Sequence, residues 1–142
     1  MKTTIVLSGV KISISARFVD FDYPQWDSNN LHPHFKVRVR ANNRSHTFDF
    51  WGSVMDYRNN KQELDRNDLL ECLYCLITDA SSTDCNADFV EFCKECGYKR
   101  LDEVNYAMQV YKMLKRAKDA CERLFGKDYY HLDYELSEYL FR

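Results

Sequence analysis

Residues 101–125 read LDEVNYAMQVYKMLKRAKDACERLF, and the order of polar and apolar side chains here decides what the rest of the chain is built around. Asn105, Gln109, Lys112, Arg116, Asp119 and Arg123 recur at steps of three and four, which draws one polar stripe along a helix. Most of the remaining circumference is apolar. Val104, Ala107, Met108, Tyr111, Leu114, Cys121 and Phe125 lie on one flank, and Tyr106, Val110, Met113, Ala117 and Leu124 on the other. Such a helix is expected to be buried on two sides and to form the spine of the fold. Asp102 is its expected N-cap and Gly126 its stop.

Outward from the spine, the C-terminal side continues as a tyrosine-rich helix over Lys127 to Phe141. On the N-terminal side, Phe89, Phe92, Cys93 and Cys96 at i, i+3, i+4 and i+7 predict a helix over Ala87 to Cys96 ended by Gly97. Another runs from an Asp65 cap to about Asp79, with Leu69, Leu70, Cys72, Leu73, Leu76 and Ile77 inward. Before Gly52 the period changes to two. Thr3 to Leu7 and Val10 to Phe21 are joined by Ser8-Gly9, and a loop follows over Asp22 to Pro33. Then Phe35, Val37 and Val39 alternate with polar residues, Asn42-Asn43 turns the chain, and Ser45 to Trp51 returns. Strands first and helices after give an α+β fold, a single domain over 1–142. An antiparallel β-meander of three to four strands occupies 1–52, and four helices packed on it occupy 64–142.

The chain's 142 residues are about one ordinary domain. Residues 1–61 carry nine Lys and Arg against five acids, and residues 62–142 carry eleven against seventeen, so the front is basic and the back acidic. A net charge of −2 argues against a protein built mainly to hold nucleic acid. No apolar run approaches a membrane span and no signal-peptide pattern opens the chain, which predicts a cytoplasmic protein with no membrane partner. Six cysteines are then reduced thiols.

Cys72-x-x-Cys75 and Cys93-x-x-Cys96 have the spacing of a four-thiolate zinc site, yet both pairs fall inside predicted helices, on apolar stripes. Core packing is the preferred reading, with Cys72, Cys75, Cys93 and Cys96 kept as zinc candidates and no cofactor expected. His32 and His34 form a lone His-x-His, weak as a metal signal, and His46 and His131 have no recognisable partners. The chain lacks a nucleophile elbow, a P-loop and a Gly-x-Gly-x-x-Gly motif, so an enzyme is the weaker class.

Two surfaces suit binding instead. Lys36, Arg38 and Arg40 project from one face of a strand, with Arg44 at the hairpin tip beside them, a basic ridge for a phosphate backbone or an acidic protein. In the tail, Asp128, Tyr130, Asp133, Tyr134 and Glu138 mix carboxylates with tyrosines, a combination found in interfaces and able to imitate phosphates.

Several segments taken in order resemble small accessory proteins encoded by phages and prophages. They are the opening strand pair at Val10 to Asp20, Trp26-Asp27-Ser28, Phe48-Asp49-Phe50-Trp51-Gly52-Ser53, Leu76-Ile77-Thr78-Asp79-Ala80, and the run Phe89 to Tyr98 before the long helix. Within that group the chain looks like an anti-CRISPR protein of the kind directed at a type II-A effector. The resemblance implies a non-enzymatic inhibitor of the bacterial host cell's CRISPR-Cas machinery, binding an effector such as Cas9 and blocking DNA engagement or cleavage. It supplies no contact residues. The alternative is a small nucleic-acid-binding accessory protein that uses the basic strand face.

Overall fold

The period-two stretches form four strands, β1 (Lys2–Leu7), β2 (Val10–Asp22), β3 (His32–Ala41) and β4 (Arg44–Trp51). They pair antiparallel in the order β1-β2-β3-β4, so the meander has four members. Both hairpin turns need left-handed backbone at two successive residues, φ 49° and 76° at Ser8-Gly9 and 53° and 63° at Asn42-Asn43. Turns of that kind match the twist of the strands they join. The computed structural model describes residues 2–81, 89–97 and 100–141.

Among the described residues five α-helices follow rather than four: α1 (Val54–Arg58), α2 (Arg66–Ala80), α3 (Phe89–Cys96), α4 (Leu101–Phe125) and α5 (Leu132–Leu140). The additional one, α1, is held by a capping box. Ser53 Oγ accepts from the Asp56 N–H at 3.0 Å and the Asp56 carboxylate accepts from the Ser53 N–H at 2.9 Å. The expected tail helix is divided, with a 3-10 turn at Tyr129–His131 ahead of α5. Residues 87 and 88, placed at the start of the second expected helix, lie outside the described residues. Helix α4 begins at Leu101, so Asp102 is within its first turn, and it is the Glu103 carboxylate that accepts from the Arg100 N–H at 3.2 Å.

One face of the sheet carries the core. Ile5, Leu7, Ile12, Ile14, Phe35, Val37 and Val39 pack with Leu69, Leu73 and Ile77 of α2, Cys121 and Leu124 of α4, and Leu132 and Leu136 of α5. Helix α2 touches β1, β2, α4 and α5, which makes it the central member of the helical layer. The spine expectation for α4 is therefore corrected. Its polar stripe is exposed throughout and its C-terminal half is buried, but Tyr106 and Met113 on the second flank are 38% and 48% exposed. The first part instead gives Ala107 and Leu114 to a second cluster with Phe92 of α3, and Val110 of the second flank packs against that cluster too.

Polar ties lock the layers together. Asn42 Nδ2 donates to the Leu124 carbonyl at 2.8 Å, satisfying an otherwise orphaned group at the end of α4, and Arg123 Nη2 donates to the Ser45 carbonyl at 2.9 Å. The Glu135 carboxylate of α5 accepts from the Ser8 N–H at 2.8 Å and the Ser8 hydroxyl at 2.6 Å. Tyr129 is buried and donates its phenol to the Ala80 carbonyl at 2.5 Å. A Cβ at Gly52 would stand 2.6 Å from Pro33 Cγ, so β4 leaves the sheet where only glycine fits against the start of β3. The product is a single two-layer α+β domain whose second sheet face is largely open.

Candidate functional site

The open face is set by register. Ser13 pairs with Arg40 and Arg40 with Ser45, while Ser15 pairs with Arg38 and Arg38 with Thr47. Each arginine therefore stands between two hydroxyl residues. Lys2 pairs with Ser15 and Arg17 with Lys36, and Lys11 lies two residues before Ser13 on the same face. Lys36, Arg38 and Arg40 thus share one face as their alternation predicts, but the ridge is really a field shared with Lys2, Lys11 and Arg17. Those three were missed because sequence order does not say which strand lies beside which.

Two shallow depressions of about 450 and 420 Å³ mark this field. The first is lined by Lys2, Lys11, Ser13, Arg40, Asn42 and Arg44 among others, the second by Ser15, Arg17, Lys36, Arg38 and Thr47. No carboxylate or imidazole lines either one. Arg44 pairs with Ala41, a core-phase position, so it joins the field only at the rim and not in the row of Lys36, Arg38 and Arg40. Lys36 is compensated, since its Nζ lies 2.5 Å from Asp49 Oδ1.

Acids on this face gather at its other end. His34 stacks on Trp51 with ring centroids 4.3 Å apart and planes within 9°, and its Nε2 meets Asp49 Oδ1 at 2.7 Å. Burial would raise the Asp49 carboxyl, but the hydrogen bonds from Lys36 and His34 outweigh it and hold the group below its usual range. His32, only 3% exposed, is engaged separately: Nδ1 meets the Gly52 carbonyl and Nε2 the Asp27 carboxylate, each at 2.8 Å. Trp26 covers the ring edge-on at 4.8 Å. The two imidazoles of the His-x-His are thus each held by their own partners and do not converge.

The four zinc candidates divide between two cores. Cys72 is fully buried in the main cluster and Cys93 packs on the second, whereas Cys75 and Cys96 are exposed. Burial pushes the Cys72 thiol far above its usual value, and Cys75, exposed as a residue but with its thiol partly enclosed beside the Asp79 and Glu71 carboxylates, is pushed upward too, the reverse of what a thiolate ligand or nucleophile needs. Among the described residues no three His, Cys, Asp or Glu side chains are grouped to hold a metal ion. His46 stacks on Phe48 at 5.9 Å and His131 lies 4.2 Å from the Tyr130 ring, so both are packing groups.

In the tail, α5 turns Leu132 and Leu136 inward and presents rings to solvent. Tyr130 is 49% exposed, Tyr134 72% and Tyr139 51%. Asp128 and Glu138 are exposed among them and Asp133 is half-buried. Phe141 packs edge-on against Tyr74 at 5.8 Å, which anchors the end of the helix. Of the acids and tyrosines expected to act together, Asp133, Tyr134 and Glu138 lie on α5 and Asp128 and Tyr130 at the 3-10 turn before it, while the cationic field belongs to the open face of the sheet.

No family model matches the chain, and no curated protein or solved structure matches it.

Proposed function

We propose that this protein is a non-enzymatic inhibitor of the anti-CRISPR type, encoded by a phage or prophage, which binds a Cas effector such as Cas9 in the host cytoplasm and blocks DNA engagement or cleavage. The observation that carries a protein-binding role is the outward face of α5, where tyrosine rings at half to three-quarters exposure stand beside carboxylates. Tyrosine brings a large apolar area at low conformational cost and a hydroxyl to keep it soluble, which is why such surfaces recur in interfaces. The segment-by-segment likeness to phage accessory proteins supplies the class of partner. A stoichiometric mode follows from the same surface, because it offers contact area rather than reacting groups.

The test is a titration of guide-loaded Cas9 with the purified protein. Cleavage should fall in proportion to added protein and the two should co-elute. Replacing Tyr134 and Tyr139 together by alanine should weaken the complex about tenfold or more without lowering thermal stability. Full cleavage by every effector tested, or loss of cleavage at far less than one inhibitor per effector, would remove the proposal.

A further inference from the structure

The open sheet face has a chemistry that the partner-binding helix does not explain. Lys2, Lys11, Arg17, Arg38 and Arg40 carry their charges there with no acidic partner among the described residues, and only Lys36 is neutralised. In an antiparallel sheet, residues two apart on a strand are about 7 Å apart and adjacent strands about 5 Å, so these cations stand on a regular grid. The grid points between them are filled by hydroxyls, Ser13 and Ser45 beside Arg40, and Ser15 and Thr47 beside Arg38. A cation flanked by neutral donors matches an anion that recurs at regular intervals along a chain and accepts several hydrogen bonds. It suits a row of phosphates, each with several acceptor oxygens. The acids Asp20 and Asp49 sit only at the far end, around His34.

We infer that this face binds the phosphate backbone of a single-stranded nucleic acid, without reading its sequence and independently of the partner taken by α5. The four-stranded face is too broad to enter a duplex groove, so base edges are out of reach. A flexible single strand instead lies in the shallow depressions along the grid and brings successive phosphates to Lys11, Arg40, Arg38 and Arg17.

The experiment is fluorescence polarisation with a labelled oligodeoxythymidine of about 16 nucleotides at several salt concentrations. With about five cations engaged, the logarithm of the binding constant should fall with the logarithm of salt at a slope of about −3 to −4. Lys11→Ala, Arg38→Ala and Arg40→Ala should each flatten that slope by about 0.7, and the triple variant should lose most of the affinity at low salt. Arg58→Ala, on α1, should change nothing. A slope near zero in the unaltered protein would overturn the assignment even if the variants fold poorly. So would equal displacement by polyglutamate, which would make the face a seat for acidic protein, or a duplex bound as tightly as the single strand.

Discussion

At His32 the imidazole stands between two acceptors, the Asp27 carboxylate and the Gly52 carbonyl, and both nitrogens form hydrogen bonds only when the ring carries two protons. Burial by itself would lower the affinity of His32 for its second proton. The bonds to Asp27 and Gly52 and the carboxylate's charge outweigh that, so the group titrates above its usual 6.5, while Asp27, bonded to His32, titrates below its usual 3.8. The sign follows from linkage. Stability from the raised histidine is complete below pH 6.5 and is lost as pH climbs through its higher folded value; that from Asp27 is lost as pH falls through its lowered one. Thermal unfolding followed from pH 6 to 9 should therefore show a midpoint that drops for the unaltered protein and changes less in His32→Gln. Parallel curves would assign the loss to another group. None of this was legible in the sequence, because Asp27 belongs to a loop whose path the strand pattern does not define, and His32 looked like half of a metal motif.

At the scale of elements, α2 bears on both layers, so its first turn matters to the whole. The Asp65 carboxylate accepts from the Asp68 N–H at 2.9 Å, the Asp68 carboxylate returns the bond to the Asp65 N–H at 3.0 Å, and Lys61 lies 2.9 Å from Asp68. Replacing Asp65 by alanine should cost about 1 kcal/mol, read as a lower urea midpoint at unchanged slope, whereas Asp65→Asn should keep most of it. That cap was legible, as were the four strands, because an interrupted polar–apolar period of two or 3.6 survives in the sequence wherever one side of an element faces water. Helix α1 was not, since five residues are too few to show a period; its one signal is the Ser53-x-x-Asp56 spacing, a capping pattern with an aspartate where glutamate or glutamine is usual. Tyr106 and Met113 misled for a different reason. Apolar character permits burial without enforcing it: among the described residues the second cluster takes in Val110 of that flank, while Tyr106 and Met113 keep 38% and 48% exposure.

For the whole molecule, the separation of charge along the chain becomes a separation between layers, with the cationic field on the sheet and the acid-bearing tail in the helices. Half of the basic site could be read from the alternation in β3; the other half, Lys2, Lys11 and Arg17, required knowing that β1 and β2 lie beside it. The clasp between Glu135 and Ser8 joins the last helix to the first hairpin. Glu135→Ala should loosen α5 by about 1 kcal/mol, so amide hydrogens in α5 should exchange about fivefold faster while those of β2 and β3 hold their rates. Equal acceleration everywhere would mean that the tail opens only with the whole domain. The clasp also sets a timetable for biosynthesis. Ile5 and Leu7 leave the ribosome well before Leu132 and Leu136, which help to roof them. A nascent chain therefore carries β1 incompletely shielded until α5 has been made, and the native sheet is sealed only then.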